Sequence, residues 1–322
     1  MKIILAAEFG LALILGIIYQ FRPDPFAVLT VLPAWSWLLL ALPLVFGWRR
    51  ANRCWTTLAT GAWLLFTAVH VEELSSLARG WFHPIVDDKP DGALRVVTLN
   101  CGGGHADALA ETLTLKPDII LLQEPPSLAE TDRFCKQLFG ATGSFLYDVD
   151  TAILMRGNLA DVRRSDSRIF FSHARADMAG FGPVDLVSLR LDTGHVQLNL
   201  WNPDCWRTHY RWRLRQLAQL REIAAELPAQ TPMLVAGDFN APQQDRIFSL
   251  LPAGMRDAFA VAGKGIGNTI LNDMPVLRID QIWVSSHFQV VQAFARRTQA
   301  SDHRLVVADL VPTAVPPPPA PQ

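Results

Sequence analysis

The chain lacks most of the signatures by which hydrolases and nucleotide enzymes are recognised. It contains no G-x-S-x-G, H-E-x-x-H or C-x-x-C and no Walker loop, which removes the serine nucleophile elbow, the zincin helix, the thiol redox pair and the P-loop. The glycine run at 263–267, GKGIG, is too short and follows no strand. Cysteine is scarce: Cys54, Cys101, Cys135 and Cys205 have no metal-type spacing and do not decide a compartment. Excess positive charge is missing too. From Asp88 onward 23 Lys and Arg stand against 25 Asp and Glu, a net of −2 with His neutral. Such a surface is not held on nucleic acid mainly by phosphate contacts, although a local arginine-lined cleft stays open. Ser301, Asp302 and His303 contain the letters of a hydrolase triad, but neighbours on an extended chain point to opposite faces. No internal repeat is evident.

What the chain does have is an apolar beginning. Most of its excess hydrophobicity lies before about residue 82, in the stretches 3–19, 26–48 and 54–71. These are long enough, or nearly so, to cross a bilayer, which takes roughly 17 to 25 residues. Phe21, Arg22, Pro23, Asp24 and Pro25 break the first from the second, and Arg49, Arg50, Asn52 and Arg53 break the second from the third. Tyr19 to Arg22 offer no small-x-small cleavage site, so the first span is read as retained. Glu8, close to its end, is expected to snorkel or to pair with Lys2. Arg49, Arg50 and Arg53 place the second loop in the cytoplasm. The expectation is a multi-pass inner-membrane anchor over 1–82 that delivers the remainder to the periplasm. With two spans instead of three, the large domain would face the cytoplasm; the third span, interrupted by Thr56, Thr57, Thr60, Gly61 and Thr67, decides it.

A polar linker at 83–92 leads into an α/β pattern over 93–312, and a proline-rich tail at 313–322 is expected to be disordered. Strands are expected at 94–100, 118–123, 152–155, 184–191, 196–201, 233–236, 278–284, 290–294 and 304–310, and helices at 105–115, 127–139, 208–226 and 243–251. Polar groups collect at the strand ends. Asn100 closes RVVTLN, Glu124 follows DIILLQ, Asp238 and Asn240 follow PMLVAG, Asp280 sits in LRIDQIW, and Asp302 with His303 opens the last strand. Singly, each is better explained by a turn or a helix cap. Together they make a hard, oxygen-rich pocket suited to Mg²⁺ or Mn²⁺ rather than zinc.

The ordered set TLN, LLQE, GDFN, RIDQIW and SDH resembles the endonuclease/exonuclease/phosphatase superfamily from residue 94 to about 311. The resemblance implies a four-layered α/β sandwich of two mixed β-sheets and metal-dependent hydrolysis of phosphate esters, with nucleic acid and phospholipid head groups among the substrates. It also implies roles. Glu124 would be the principal metal ligand with Asn100 beside it and Asp302 close by. Asp238 would orient or deprotonate the attacking water, Asn240 would meet the phosphoryl oxygen, and His303 would face the scissile phosphate with its tautomer set by Asp280. Gly237 would allow close backbone approach and Phe239 would turn into the core. One departure stands out: where the family has a His or Tyr near a strand end, this chain offers Trp201, so Asn202, His195 or His209 could serve instead.

The segment 205–217, CWRTHYRWRLRQL, offers Arg211 and Arg215 four apart on a helix, with Trp206 and Arg207 at its entrance. Such a mixture can hold phosphates or bases, or it can be a solvated face. The expected function is a membrane-anchored phosphodiesterase acting on nucleic acid or phospholipid; the rival is a non-catalytic membrane protein binding a phosphate ligand in the same pocket. No protein partner is evident.

Overall fold

The computed structural model describes residues 2–42, 44, 53–164, 169–178, 181–194, 197–228 and 230–313. In chain order these form α1 (Lys2–Phe21), α2 (Ala27–Thr30), α3 (Arg53–His70), α4 (Glu72–Phe82), β1 (Leu94–Asn100), α5 (Ala106–Glu111), β2 (Ile119–Gln123), α6 (Leu128–Phe139), β3 (Gly143–Tyr147), β4 (Thr151–Arg156), β5 (Asn158–Arg164), β6 (Phe170–Met178) and β7 (Gly182–Arg190). Then come α7 (Pro203–Glu226), β8 (Met233–Asp238), β9 (Arg256–Asp257), α8 (Ala258–Ala262), β10 (Asp280–Val284), β11 (Phe288–Arg296) and β12 (Leu305–Pro312).

The strands make two six-stranded mixed sheets, ordered β11-β12-β1-β2-β4-β3 and β5-β6-β7-β8-β10-β9. Side-chain alternation then builds the layers. Val96, Leu121 and Ile153 of the first sheet meet Ala174, Leu186 and Ala236 of the second in the central core. The alternate residues point outward: Val97, Leu99 and Ile120 pack under Leu109 and Phe134, and Val187, Leu189 and Val235 pack under Leu220 and Ile223. The result is a four-layered α/β sandwich. Topology explains where polar strand ends collect. β1 runs parallel to β2, β7 runs parallel to β8, and β12 and β10 run antiparallel to β1 and β8. The C-terminal ends of four strands and the N-terminal ends of two therefore share one edge.

Several elements differ from the sequence expectation. Residues 197–201 form no strand, because the chain leaves the second sheet at Arg190; residues 195 and 196 lie outside the described residues. The helix expected from 208 starts at Pro203, where Asn202 caps it by accepting from the Asp204 N–H at 2.9 Å and Pro203 supplies the fixed φ of a first helical position. The stretch at 243–251 makes only a short 3₁₀ helix, Arg246–Leu250. Strands β3, β5 and β6 carry too mixed a polarity to stand out in the sequence, since β5 is largely solvent-facing.

At the N-terminus, α1 is long and apolar enough to cross a membrane. Two further pairs qualify by length and composition if each is counted as one bent span: Asp24–Thr30 with Ala34–Ala41, and Arg53–His70 with Glu72–Phe82. Ring contacts between Phe9 and Trp55 and between Tyr19 and Phe66 show that α1 and α3 run in the same direction. Glu8 is buried and accepts from the Trp63 indole at 3.1 Å, so its partner is α3 and not Lys2. The turn residues Arg49, Arg50 and Asn52, and the tail beyond Thr313, lie outside the described residues.

The N-terminal region is fastened to the sandwich. The Arg278 guanidinium, 1% exposed, pairs with Glu72 of α4 at 2.9 Å and with Asp257 at 2.7 Å. Arg79 donates to the Gly263 carbonyl at 2.8 Å. The segment 83–92 is also held, with Gln292 donating to Val86 O at 2.8 Å and Arg95 donating to Asp87 O at 2.7 Å.

Candidate active site

The shared edge of the two sheets encloses a cavity of about 610 Å³. Asn100, at the end of β1, spans the two sheets: its amide donates to Glu124 Oε1 at 3.2 Å and to Asp238 Oδ2 at 3.1 Å. Its own oxygen accepts from the Gly102 N–H at 2.9 Å, which fixes the orientation of the amide. Asp238 ends β8 and also accepts from the Asn240 N–H at 2.9 Å. Gly237 is required just before it: at φ +152 a Cβ would stand 1.9 Å from Leu189 O. Phe239 is fully buried in the outer core under α7. Residues Asn100, Glu124, Asp238, Asn240, Asp302 and His303 all line this one cavity.

Asp280 opens β10 and sits behind His303, whose Nδ1 lies 2.8 Å from Asp280 Oδ2. Burial alone would lower the imidazole pKa, but the Asp280 charge and hydrogen bond, with Asp238 and Asp302 adding to them, lift it to about 10. Burial and the neighbouring Asp280 push Asp238 up to about 7.

Arg190, which the sequence reading passed over, ends β7 opposite Asp238 in the register. It pairs with Glu124 at 2.7 Å and with Asp150 at 2.9 Å. The detectable signal was position: the strand 184–191 was expected, and its end belongs to the same edge as GDFN. Arg190, and not Trp201, therefore stands at the strand end on this edge. Trp201 is 96% exposed in the loop before α7 and does not line the cavity. Asn202 is spent on the helix cap.

The arginines expected on α7 are likewise displaced. Arg211 and Arg215 are exposed, and Arg215 pairs at the surface with Asp192. Arg213 faces inward, buried against Asp245 and donating to Gln216 Oε1 at 2.9 Å. The reason is helical phase: His209, Trp212, Arg213 and Gln216 share the buried face, and Arg211 and Arg215 do not. His209 lines the cavity, but its Nε2 is engaged 3.0 Å from the Gln197 carbonyl oxygen, and burial lowers its pKa. His195 is outside the described residues.

The donor set suits a divalent cation. Ligand atoms of Asp238, Asp280 and His303 lie within 4.8 Å of one another, and Asp280 Oδ1 is buried with no hydrogen-bond partner among the described residues. Glu124, Asp150, Asp238, Asp280 and Asp302 collect at an edge where Arg190 and the His303 imidazolium are the paired cations and Arg213, also on the cavity wall, is taken up by Asp245, which leaves the edge oxygen-rich.

Two mixed sheets between helices, with carboxylates, amides and an Asp-supported histidine at their common edge, define the class of phosphate-ester hydrolases built on an α/β sandwich. The model of the Endonuclease/Exonuclease/phosphatase family matches residues 97–303, and the chain belongs to that family. Its members act on phosphate esters and are in general dependent on divalent metal. The chain is 36% identical over 102 residues to the uncharacterized protein YbhP of Escherichia coli K12, across 30% of this chain and 40% of YbhP. It thus spans less than half the length of that curated relative. Among solved structures it is similar in fold to an endonuclease/exonuclease/phosphatase protein of Beutenbergia cavernae, with 18% identity, a TM-score of 0.55, and 70% and 73% of the two chains covered. It is also similar in fold to a humanized D. rerio TDP2, with 18% identity, a TM-score of 0.52, and 68% and 99% covered. D. rerio TDP2 has also been solved with a single-strand DNA product.

Proposed function

We propose that this chain is a membrane-anchored phosphodiesterase dependent on Mg²⁺ or Mn²⁺, with its catalytic domain on the periplasmic side of a bacterial inner membrane. The observation that carries the reading is the continuous set from Glu124 through Asn100 to Asp238, facing the Asp280–His303 pair across one cavity. Glu124 would hold the cation with Asp302 beside it, and the Asn100 amide would position the Glu124 carboxylate. The cation would polarise the ester and offset charge developing on the phosphoryl oxygens. Asp238, raised towards neutrality, orients the attacking water and takes its proton. The Asn240 amide, now donating to Leu191 O at 2.9 Å, and the His303 imidazolium supply donors to the phosphoryl oxygen as the water oxygen bonds to phosphorus and the ester oxygen departs.

Support for the anchor comes from the parallel run of α1 and α3, since the chain between them must return to the side from which α1 began. Apolar side chains such as Ile14, Ile17, Leu64 and Leu65 cover the outer faces of these helices. An active periplasm-dependent reporter fused to the C-terminus supports three crossings; an inactive one sinks them.

The second reading, a non-catalytic phosphate binder, draws on the Glu124–Arg190 pair, because an arginine at 2.7 Å already neutralises that carboxylate. The test uses the full chain in detergent with Mg²⁺ or chelator, against supercoiled plasmid, phospholipid vesicles and bis(p-nitrophenyl) phosphate. Turnover lost with chelator and in Glu124→Gln supports the enzyme. Phosphate binding without turnover of any of the three supports the binder. Nicking of plasmid favours a nuclease, in line with the DNA product bound to D. rerio TDP2.

A further inference from the structure

The cavity wall is not made by the sandwich alone. Ala27 and Val31, from the segment after α1, line it together with the catalytic edge. That segment is fixed: Phe26 stands edge-on to Trp206 of α7 with ring centroids 6.0 Å apart, and Asp24 reaches Arg246 at 4.0 Å. The lining also includes Ile270 and Leu277. The loop that supplies them is tied to α4, where the Gly265 N–H donates to Ser76 O at 3.0 Å and the Asn268 amide donates to Glu73 at 3.1 Å. Both apolar parts of the lining are therefore tied to the N-terminal helical region.

Next to these lining residues in the chain, apolar side chains are exposed: Phe26 precedes Ala27 and Leu271 follows Ile270, with Phe21 at the end of α1, Met274 three residues past Leu271, Leu198 and Trp201 in the loop before α7, and Trp81 and Phe82 at the end of α4. Single exposed apolar residues are ordinary, but several of them flanking the apolar lining and the apolar anchor in the chain point to a surface that meets something. Tryptophan at the level of lipid head groups is the usual membrane occupant of such a place, which gives the exposed Trp201 a reason.

We infer that the cleft opens onto the bilayer holding the anchor, and that its substrate is a phosphate ester carried on a long apolar chain. The phosphate lies at Arg190, Asn240 and His303, and the first part of the chain runs along Ala27, Val31, Ile270 and Leu277 into the membrane. The inference rests on the phosphoesterase reading of the same cavity. An aliphatic wall suits an acyl chain, whereas bases are held mostly by aromatic stacking, and the exposed Arg211 and Arg215 that could guide a nucleic-acid backbone do not line the cavity.

The test compares methyl and hexadecyl p-nitrophenyl phosphodiesters with the full chain in detergent micelles and Mg²⁺. Each methylene buried strengthens binding about fourfold, so kcat/KM for the hexadecyl ester is expected to exceed that of the methyl ester at least about tenfold. In Val31→Asp that gain falls away while methyl-ester turnover persists. Comparison with the variant removes the contribution of substrate gathering in the micelle, which is the same for both proteins. Equal kcat/KM for the two esters in the unaltered chain, or an undiminished gain in Val31→Asp, overturns the inference. If Val31→Asp loses methyl-ester turnover as well, the milder Val31→Asn decides by the same two criteria. If neither ester is hydrolysed, the catalytic reading falls, and the inference is judged on binding of hexadecyl against methyl methylphosphonate. A hexadecyl preference that Val31→Asp abolishes upholds it, and no preference overturns it.

Discussion

Arg278 joins the N-terminal region to the strand that carries Asp280, and removing it should be costly. Its guanidinium is 1% exposed and is shared by Glu72 and Asp257, whose side chains are each 7% exposed. Arg278→Met leaves two carboxylates buried side by side without a cation. Breaking a buried ion pair from one side costs about 3 to 5 kcal/mol, chiefly from the charge left unpaired. For a domain of this size that is a fall in Tm of about 6 to 20 °C. The assay is thermal unfolding of the full chain in detergent, followed by tryptophan fluorescence. Adding Glu72→Gln to Arg278→Met removes one stranded charge, so the double variant should recover about 1 to 3 kcal/mol. The reasoning is refuted if Arg278→Met costs less than about 1 kcal/mol, or if the two substitutions simply add.

Gly237→Ala should abolish turnover and lower Tm, since its Cβ would stand 1.9 Å from Leu189 O; a variant of normal stability would show that the strand can shift. Arg190→Met should reduce kcat/KM at least about a hundredfold, whereas Arg211→Ala and Arg215→Ala should stay within about twofold, as steady-state rates on a soluble diester will show. His209 has its pKa lowered by burial, so its folded form favours the neutral ring. Its contribution to stability is full above the ordinary value of 6.5 and is lost as pH falls below it, because the unfolded chain binds the proton first. Denaturant unfolding of His209→Gln across that range should show a shallower acid decline than the unaltered chain.

The residues readable in the sequence were those whose place is tied to a strand end. Asn100, Glu124, Asp238 and His303 follow or precede apolar runs that could only be strands, and the parallel and antiparallel order of those strands brings them to one edge. Arg190 was missed for lack of register: the strand at 196–201 was expected to end at the site, but the preceding strand does so, and its last residue faces Asp238. On α7 the spacing of Arg211 and Arg215 was visible but the helical phase was not, so inward-facing Arg213 was overlooked. Ala27 and Val31 were invisible as site residues because apolar groups in an apolar run signal only a membrane; their place in the cavity depends on long-range packing against α7.

The most direct measurement is hydrolysis of bis(p-nitrophenyl) phosphate by the full chain in detergent, with Mg²⁺ and with chelator, beside His303→Asn. A Mg²⁺-dependent rate that falls at least about a hundredfold in His303→Asn is the expected result. An equal rate in the variant, or a rate indifferent to chelator, would contradict a metal-dependent phosphodiesterase centred on this edge.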